Sequence, residues 1–413
     1  MITESRKNVF AYNLSFLALI FAVSTDLFLR GYPGKLFYLA SYVAIFYTVV
    51  YFYQNRRSLK LDKPALCFFI TLLLVGISRL VWSAYFKQTH YDDIRSNYAL
   101  GGKRFVIAAF LLFYFYQFRT LLLRNILKLG VGILFVGLII SVWYGHITPE
   151  PLTHRAQWTS DAATTGAYLV VVYSMLTIIV VRACFKDSGV SILLFSLVFM
   201  LTMVMLLMTA TRSAILLTPI MYVVFFIYYY RSVSVKVQLV LALIIILGAA
   251  SVGYFTWNRL SEIGSEIAEY GTHNDTSIGA RFSMWGAGAH SITSNLIGQS
   301  VDSRYESAVN YIDHSERANP VAKFNVAYHL HNDLMDTFSL QGIFGFISLA
   351  LFFVMGFYFS LYKSALQNYG TLFILLPLFI LGLADTVLIQ SNTVLMVIMA
   401  LALSFPVMNK PRA

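Results

Sequence analysis

The stretch AYHLHNDLMDTFSLQGIFGF, residues 327 to 346, sets two histidines, two aspartates and two glycines directly ahead of a long apolar run. Titratable side chains at such an edge can move protons, bind an ion or pair with a charged ligand. His329, His331 and Asp333 alternate, so an extended backbone would turn all three to one side as metal ligands. Helical periodicity from Leu334 to Phe338 argues against this, because residues two apart do not share a helix face, and no metal site is expected. Asp26, Arg79 and Asp385 lie inside apolar runs. Each costs about 2.5 to 3.5 kcal/mol at the centre of a membrane helix, which makes each a candidate functional residue. The competing reading pairs Arg79 with Asp26 or Asp385 as a structural ion pair. Arg212 occupies the short turn TATRSA between two apolar runs. A neutral turn would insert more readily, so this guanidinium calls for an anion.

The elements that position these groups follow from composition. The chain has 413 residues, is 58% hydrophobic and only 12% charged, and carries a net charge of +11. No soluble core can absorb that apolar surface, so lipid is its solvent. A polyanion-binding domain would show the reverse, rich in charge and poor in apolar runs, which excludes nucleic acid as a partner. Cys67 and Cys184 both fall in apolar segments, so no disulfide framework is written here.

Hydropathy predicts an all-α polytopic membrane protein of about twelve spans. They lie near Phe10 to Leu29, Leu36 to Tyr53, Ala65 to Tyr85, Phe105 to Phe118, Ile126 to Tyr144 and Ala163 to Cys184. The rest lie near Ser191 to Met208, Ala214 to Tyr230, Val237 to Phe255, Gly342 to Tyr362, Thr371 to Val387 and Thr393 to Val407. The fourth extends back toward Tyr98. The first lacks a small-residue cleavage site and reads as a retained span. Three parts result: residues 1–257 with nine spans, a loop domain at 258–341, and residues 342–413 with three spans and a short tail. In the loop domain, RLSEIGSEIAEY has a length suited to lying against the membrane surface.

Lysines and arginines in short loops favour the cytoplasmic side for both termini by about two to one. That orientation sends all eight histidines to the other side, with 10 of the 19 acidic residues in the loop from Asn258 to Gln341. It also brings Asp26, Arg79, Asp385, Arg212, Lys103 and Arg104 to one level, the outer leaflet.

The spacing His331, Asn332, nine residues, Gly342, two residues, Gly345 resembles the signature of bacterial O-antigen ligases, membrane glycosyltransferases of lipopolysaccharide biosynthesis. TATRSAILLTPI around Arg212, SIGARFSMW around Arg281 and LGLADTVL around Asp385 resemble the enterobacterial members, as do the twelve spans and the large loop before the tenth. The resemblance covers essentially the whole chain. It implies a fold similar to other large transmembrane glycosyltransferases with lipid-phosphate donors. It further implies transfer of a preassembled O-antigen from undecaprenyl diphosphate to a lipid A core sugar, on the periplasmic face of the inner membrane and without ATP or metal.

In that chemistry the leaving diphosphate needs charge stabilisation more than a proton. Arg212 and Arg281 suit it, since a guanidinium stays ionised and donates parallel hydrogen bonds to phosphate. Lys103 and Arg104 assist, and Arg79 and Asp385 are further substrate-facing candidates. A sugar hydroxyl needs a base, and His331 is the candidate, because imidazole titrates near ~6.5 and general bases contribute about 10² to 10⁴ in rate. Direct displacement would invert the anomeric configuration. Asn332 orients the loop or a substrate, and Gly342 with Gly345 lets the tenth span approach a neighbour closely.

Rival readings are weaker. An O-antigen polymerase would use the same donor and is associated with Arg, ten residues, Gly spacings. Arg155 to Gly166 and Arg119 to Gly130 match, but this composition yields such matches by chance. A protein-directed oligosaccharyltransferase would more often carry a large extra soluble region. A transporter of polysaccharide lipids should show midplane charges and an internal repeat, and neither is evident. Aromatic runs such as FFIYYY read as lipid-facing or interfacial belts, with Trp285 and Tyr328 set apart by position.

Overall fold

Hydrocarbon offers backbone N–H and C=O groups no partner, so apolar runs of this length must coil into helices. In the computed structural model, which describes residues 6–55, 62–186, 188–231, 233–362 and 369–407, they do. The expected inner-side cations Arg56, Arg57, Lys60, Lys363, Lys410 and Arg412, and the expected tail after Val407, lie outside the described residues. Eight helices come first: α1 (Arg6–Thr25), α2 (Tyr32–Asn55), α3 (Lys63–Tyr85), α4 (Asp92–Gln117), α5 (Arg124–Ile147), α6 (Ala163–Phe185), α7 (Gly189–Thr209) and α8 (Arg212–Tyr229). Then come α9 (Val235–Ala268), α10 (Ser277–Ser294), α11 (Val301–Ser315), α12 (Pro320–Val326), α13 (Asp333–Leu361), α14 (Tyr369–Ala384) and α15 (Ser391–Val407).

The protein is an all-α polytopic membrane protein. Among the described residues nine helices, α1 to α8 and α13, are long and apolar enough to cross a membrane. Shorter apolar helices at Val235–Ser251, Tyr369–Ala384 and Ser391–Val407 fill the remaining expected spans. α4 starts at Asp92, two turns before the expected extension to Tyr98. The centre of the bundle is α6 with α15, in which every residue except Asn392 is buried. Outward faces show large apolar side chains to lipid, including Tyr42 and Phe46 on α2, Ile139 on α5 and Ile246 on α9. α3 and α4 touch backbone to backbone, since a Cβ on Gly76 would stand 2.8 Å from the Gly102 carbonyl oxygen.

Polar bonds mark the two ends. At one, Asn13 Nδ2 donates to the Leu121 carbonyl at 2.9 Å. At the other, Thr159 donates to the Asp26 carbonyl at 2.6 Å and Ser391 N to Asn97 Oδ1 at 3.2 Å. All eight histidines belong to this second end.

Continuous helices run through both expected domain boundaries. RLSEIGSEIAEY continues α9 beyond its apolar half instead of forming a separate surface helix, and α13 already begins at Asp333. Between them α10, α11 and α12 close a small core of Ala280, Met284, Ala287, Ala308, Ile312, Ala322, Val326 and Leu330. A second apolar cluster, Trp82, Ile94, Tyr98, Val301, Leu340 and Ile389, joins this module to α3, α4 and α13. Trp82 Nε1 reinforces the joint by donating to the Gln299 carbonyl at 2.9 Å.

α13 is kinked at Gly342, whose φ of 65° and ψ of −161° only glycine adopts readily. The neighbour it admits is a loop: Ile343 N donates to the Leu296 carbonyl at 2.9 Å, and a Cβ at Gly342 would fall 2.3 Å from the Ile297 carbonyl carbon. At Gly345 a Cβ would strike Gln341 and Thr337 in the preceding turn. Gly342→Ala should therefore lower thermal stability in detergent by roughly 1–3 kcal/mol or more. Gly132→Ala, where a Cβ meets nothing within 4 Å, should not; equal melting curves for the two variants would contradict the kink's role.

Candidate functional site

His331 sits in the irregular segment between α12 and α13, with φ at 50°, a left-handed conformation rare outside glycine. The next residue ends that irregularity: Asn332 caps α13, its side-chain oxygen accepting from Met335 N at 3.0 Å while its Nδ2 donates to the Leu383 carbonyl at 3.0 Å. The cap ties α13 to the end of α14 and brings His331 Nδ1 to 2.7 Å from Asp385 Oδ1. Asp385 lies in the loop just after α14, not within the helix. Its Oδ2 accepts from the Tyr168 hydroxyl at 2.6 Å and its Oδ1 from Thr386 N at 2.8 Å. Burial disfavours the carboxylate, but His331, His329 and the Tyr168 hydroxyl outweigh it and hold Asp385 below the ordinary carboxylate range. An ionised carboxylate only accepts, so Nδ1 of His331 carries the proton of this bond, and in the neutral imidazole that leaves the lone pair on Nε2.

His329 stacks edge-on against His331, ring centroids 4.3 Å apart. Desolvation and the neighbouring His331 push its pKa down to about 4, so it is neutral near pH 7. Because α13 begins only at Asp333, the helical argument against chelation does not reach these histidines. Donor atoms of His329, His331 and Asp385 lie within 4.8 Å of one another, a set that could hold a metal ion, with Asp385 in the place expected for Asp333.

Beside this arm lies a cavity of about 650 Å³ whose lining includes Arg155, Tyr168, Arg212, Ser213, Glu262, Arg281 and Trp285. Tyr168 and Trp285 belong to both places. Tyr168 holds Asp385, and Trp285 Nε1 donates to the His331 carbonyl at 3.3 Å. Arg212 is the first residue of α8, reached through a two-residue joint in which Ala210 is left-handed. A cation at a helix N-terminus is opposed by the helix dipole, so it needs compensation. Two carboxylates of α9 supply it: Nη1 meets Glu266 at 2.9 Å and Nη2 meets Glu262 at 3.0 Å. The anion that Arg212 called for is therefore met inside the chain. Glu266 also accepts from Ile278 N at 2.8 Å, fastening the start of α10, which carries Arg281. Arg281 is loosely held, with Nη1 3.4 Å from the Ser277 hydroxyl and a buried Nε that has no partner.

The remaining candidates stand elsewhere. Arg79 is buried between the rings of Tyr98 and Phe105 and donates to the Leu388 carbonyl at 2.8 Å, pairing with neither Asp26 nor Asp385. Asp333 accepts from Leu388 N at 2.9 Å, so the two grip both backbone polar groups of one residue in the loop that carries Asp385. Lys103 is exposed, and Arg104 faces a different cavity with Asp26. Sequence reading passed over Tyr168, whose hydroxyl is camouflaged in an apolar run, and Glu262 and Glu266, whose helical register only mattered once α9 proved continuous. It also passed over Arg304 and Asp336, buried together at 2.8 Å.

Residues 195–350 match the family model described as O-Antigen ligase. The chain is also 24% identical over 414 residues to the O-antigen ligase of Escherichia coli (strain K12), covering 97% of this chain and 94% of that relative. The family-model match takes in Arg212, Arg281, His331, Asn332, Gly342 and Gly345, while the longer similarity runs through all twelve apolar segments. These two comparisons, one local and one nearly end to end, make this multi-pass membrane protein similar to O-antigen ligases and support an O-antigen ligase-type transferase function.

Proposed function

We propose that the protein transfers a preassembled O-antigen glycan from undecaprenyl diphosphate to a sugar hydroxyl of the lipid A core, at the periplasmic face of the bacterial inner membrane. The observation that carries this reading is the shared wall of the site: Tyr168 and Trp285 line the arginine cavity and also bond the Asp385 and His331 arm. A charge-stabilising pocket and a proton acceptor are thereby neighbours. Loop charges support cytoplasmic termini, which puts the histidine-rich end and the module of residues 258–341 on the periplasmic side.

The donor diphosphate enters beside Arg212 and Arg281. Glu262 is half exposed and its contact with Arg212 is weak, as ion pairs near water are. The diphosphate displaces it and takes the guanidinium fork, while Arg281 turns its unpartnered Nε and its loosely held Nη1 to the same group. The acceptor hydroxyl lies at His331 Nε2. As its oxygen attacks the anomeric carbon, its proton passes to Nε2 and the carbon–oxygen bond to the diphosphate breaks, inverting the centre. Asp385 keeps the imidazole in the right tautomer and compensates the charge it gains; Asn332 fixes the segment by capping α13. Arg155, which donates to the Thr209 carbonyl and Thr211, adds positive potential to the cavity floor.

His331→Ala should lower transfer by about 10² to 10⁴ with insertion unchanged. It is measured with purified protein, lipid-linked glycan and lipid A core, without nucleotide and in EDTA, reading capped core on a gel. Product forming only after a divalent metal is added would overturn the metal-free reading, and growth of the lipid-linked glycan with bare core would indicate a polymerase. In the same assay Asp385→Asn should cut turnover and leave donor affinity intact, whereas Arg212→Ala and Arg281→Ala should weaken donor binding. Arg281→Lys should restore donor binding only partly, because an ammonium lacks the planar fork. Unaltered donor affinity in both alanine variants would remove the arginines from the site.

A further inference from the structure

Arg104 has no task in the reaction just described, yet it is only 6% exposed and faces a second cavity of about 480 Å³. This cavity opens where the turn between α1 and α2, the middle of α4, the segment at Thr159 and the start of α15 meet. Arg104 spends Nη1 on the Ser391 carbonyl, and its buried Nε has no partner. Asp26, also 6% exposed, lines the same cavity, and its Oδ2 is equally unpartnered. Two buried charged groups with orphaned atoms turned to one space are costly unless something fills it. At the rim stand Arg30 and Lys35, both exposed, so three cations face the carboxylates of Asp26 and Asp161.

The mixture of charges narrows the ligand. Arg30, Lys35 and Arg104 suit a phosphate, and Arg104 Nη2 already points toward Gly34 at the mouth. As a carboxylate Asp26 only accepts, and its orphaned oxygen then calls for a partner with hydroxyl or ammonium hydrogens. A phosphorylated sugar offers both, whereas a bare diphosphate would be repelled by Asp26. The place fits as well. Arg104 bonds Ser391 and His331 bonds Asp385, so the two cavities flank one loop, six residues or at most about 20 Å of chain from end to end.

We propose that this cavity holds a phosphorylated-sugar headgroup of the acceptor amphiphile, apart from the diphosphate at Arg212 and Arg281. The identification of the ligand as the acceptor rests on the ligase reading; the anion site itself does not. Native mass spectrometry of the full chain in micelles tests it, with three probes of this cavity, a diphosphorylated diglucosamine lipid, its dephosphorylated counterpart and phosphatidylethanolamine, and with undecaprenyl diphosphate as the probe of the arginine cavity. The wild type should retain the first over the other two. Arg104→Gln and the exposed Lys35→Gln should each weaken that retention about tenfold. Arg212→Gln should leave it unchanged while losing undecaprenyl diphosphate. Retention unaltered in both Arg104→Gln and Lys35→Gln, equal retention of phosphatidylethanolamine, or loss of both lipids in Arg212→Gln would each overturn the proposal. Absent capping with this binding pattern intact would overturn the ligase reading alone.

Discussion

The buried pair of Arg304 and Asp336, 2.8 Å apart and both wholly shielded from solvent, is the constraint on which the site depends. Arg304 comes from α11 of the loop module and Asp336 from the first turn of α13. Asp336 also accepts from Tyr98 of α4 at 2.5 Å and from Leu330 N at 3.0 Å. Nη2 of Arg304 faces the carbonyls of Val326, Ala327 and Tyr328 at 3.4 to 3.5 Å. One ion pair therefore holds the chain immediately before His331 from both sides. Removing one partner of such a pair strands the other and typically costs about 3 to 5 kcal/mol, which is why its contribution is to geometry as much as to stability.

A second grip works on the facing loop. Arg79 and Asp333 hold the backbone carbonyl and N–H of Leu388, and Arg104 holds the Ser391 carbonyl. Asp385 is thus fixed through the anchored loop on its C-terminal side as well as by Tyr168. Charged side chains that looked like ligands for substrate in the apolar runs are divided between two duties. Arg79 and Asp333 hold backbone, Arg212 and Arg281 face space large enough for an amphiphile's polar group, and Arg104 does both.

The arginine cavity is balanced by internal acids. Arg212 is matched with Glu262 and Glu266, so the protein carries its own anion where a substrate anion would bind. That arrangement keeps a guanidinium at a helix N-terminus tolerable without ligand, and under the proposed function binding becomes an exchange of carboxylate for phosphate. Glu262, the more exposed of the two, is the one a ligand can displace at small cost.

By itself the sequence determined the lipid-facing architecture, because a run of apolar residues in hydrocarbon has no alternative to the helix. All twelve apolar segments, the side on which the histidines gather and the spacing from His331 to Gly345 could be read without coordinates. What the tertiary structure decided were contacts between residues far apart in the chain, which no local pattern records: Asp385 to His331, Tyr168 to Asp385, Arg212 to Glu262 and Glu266. It also decided where helices stop. α9 runs on through the polar stretch and α13 starts at Asp333, and those two boundaries leave His331 in an irregular segment free to meet Asp385. The physical reason is one of range. Backbone coiling is settled within a few residues, whereas the partner of a buried charge is settled by whichever distant group the packed helices bring near enough to compensate it.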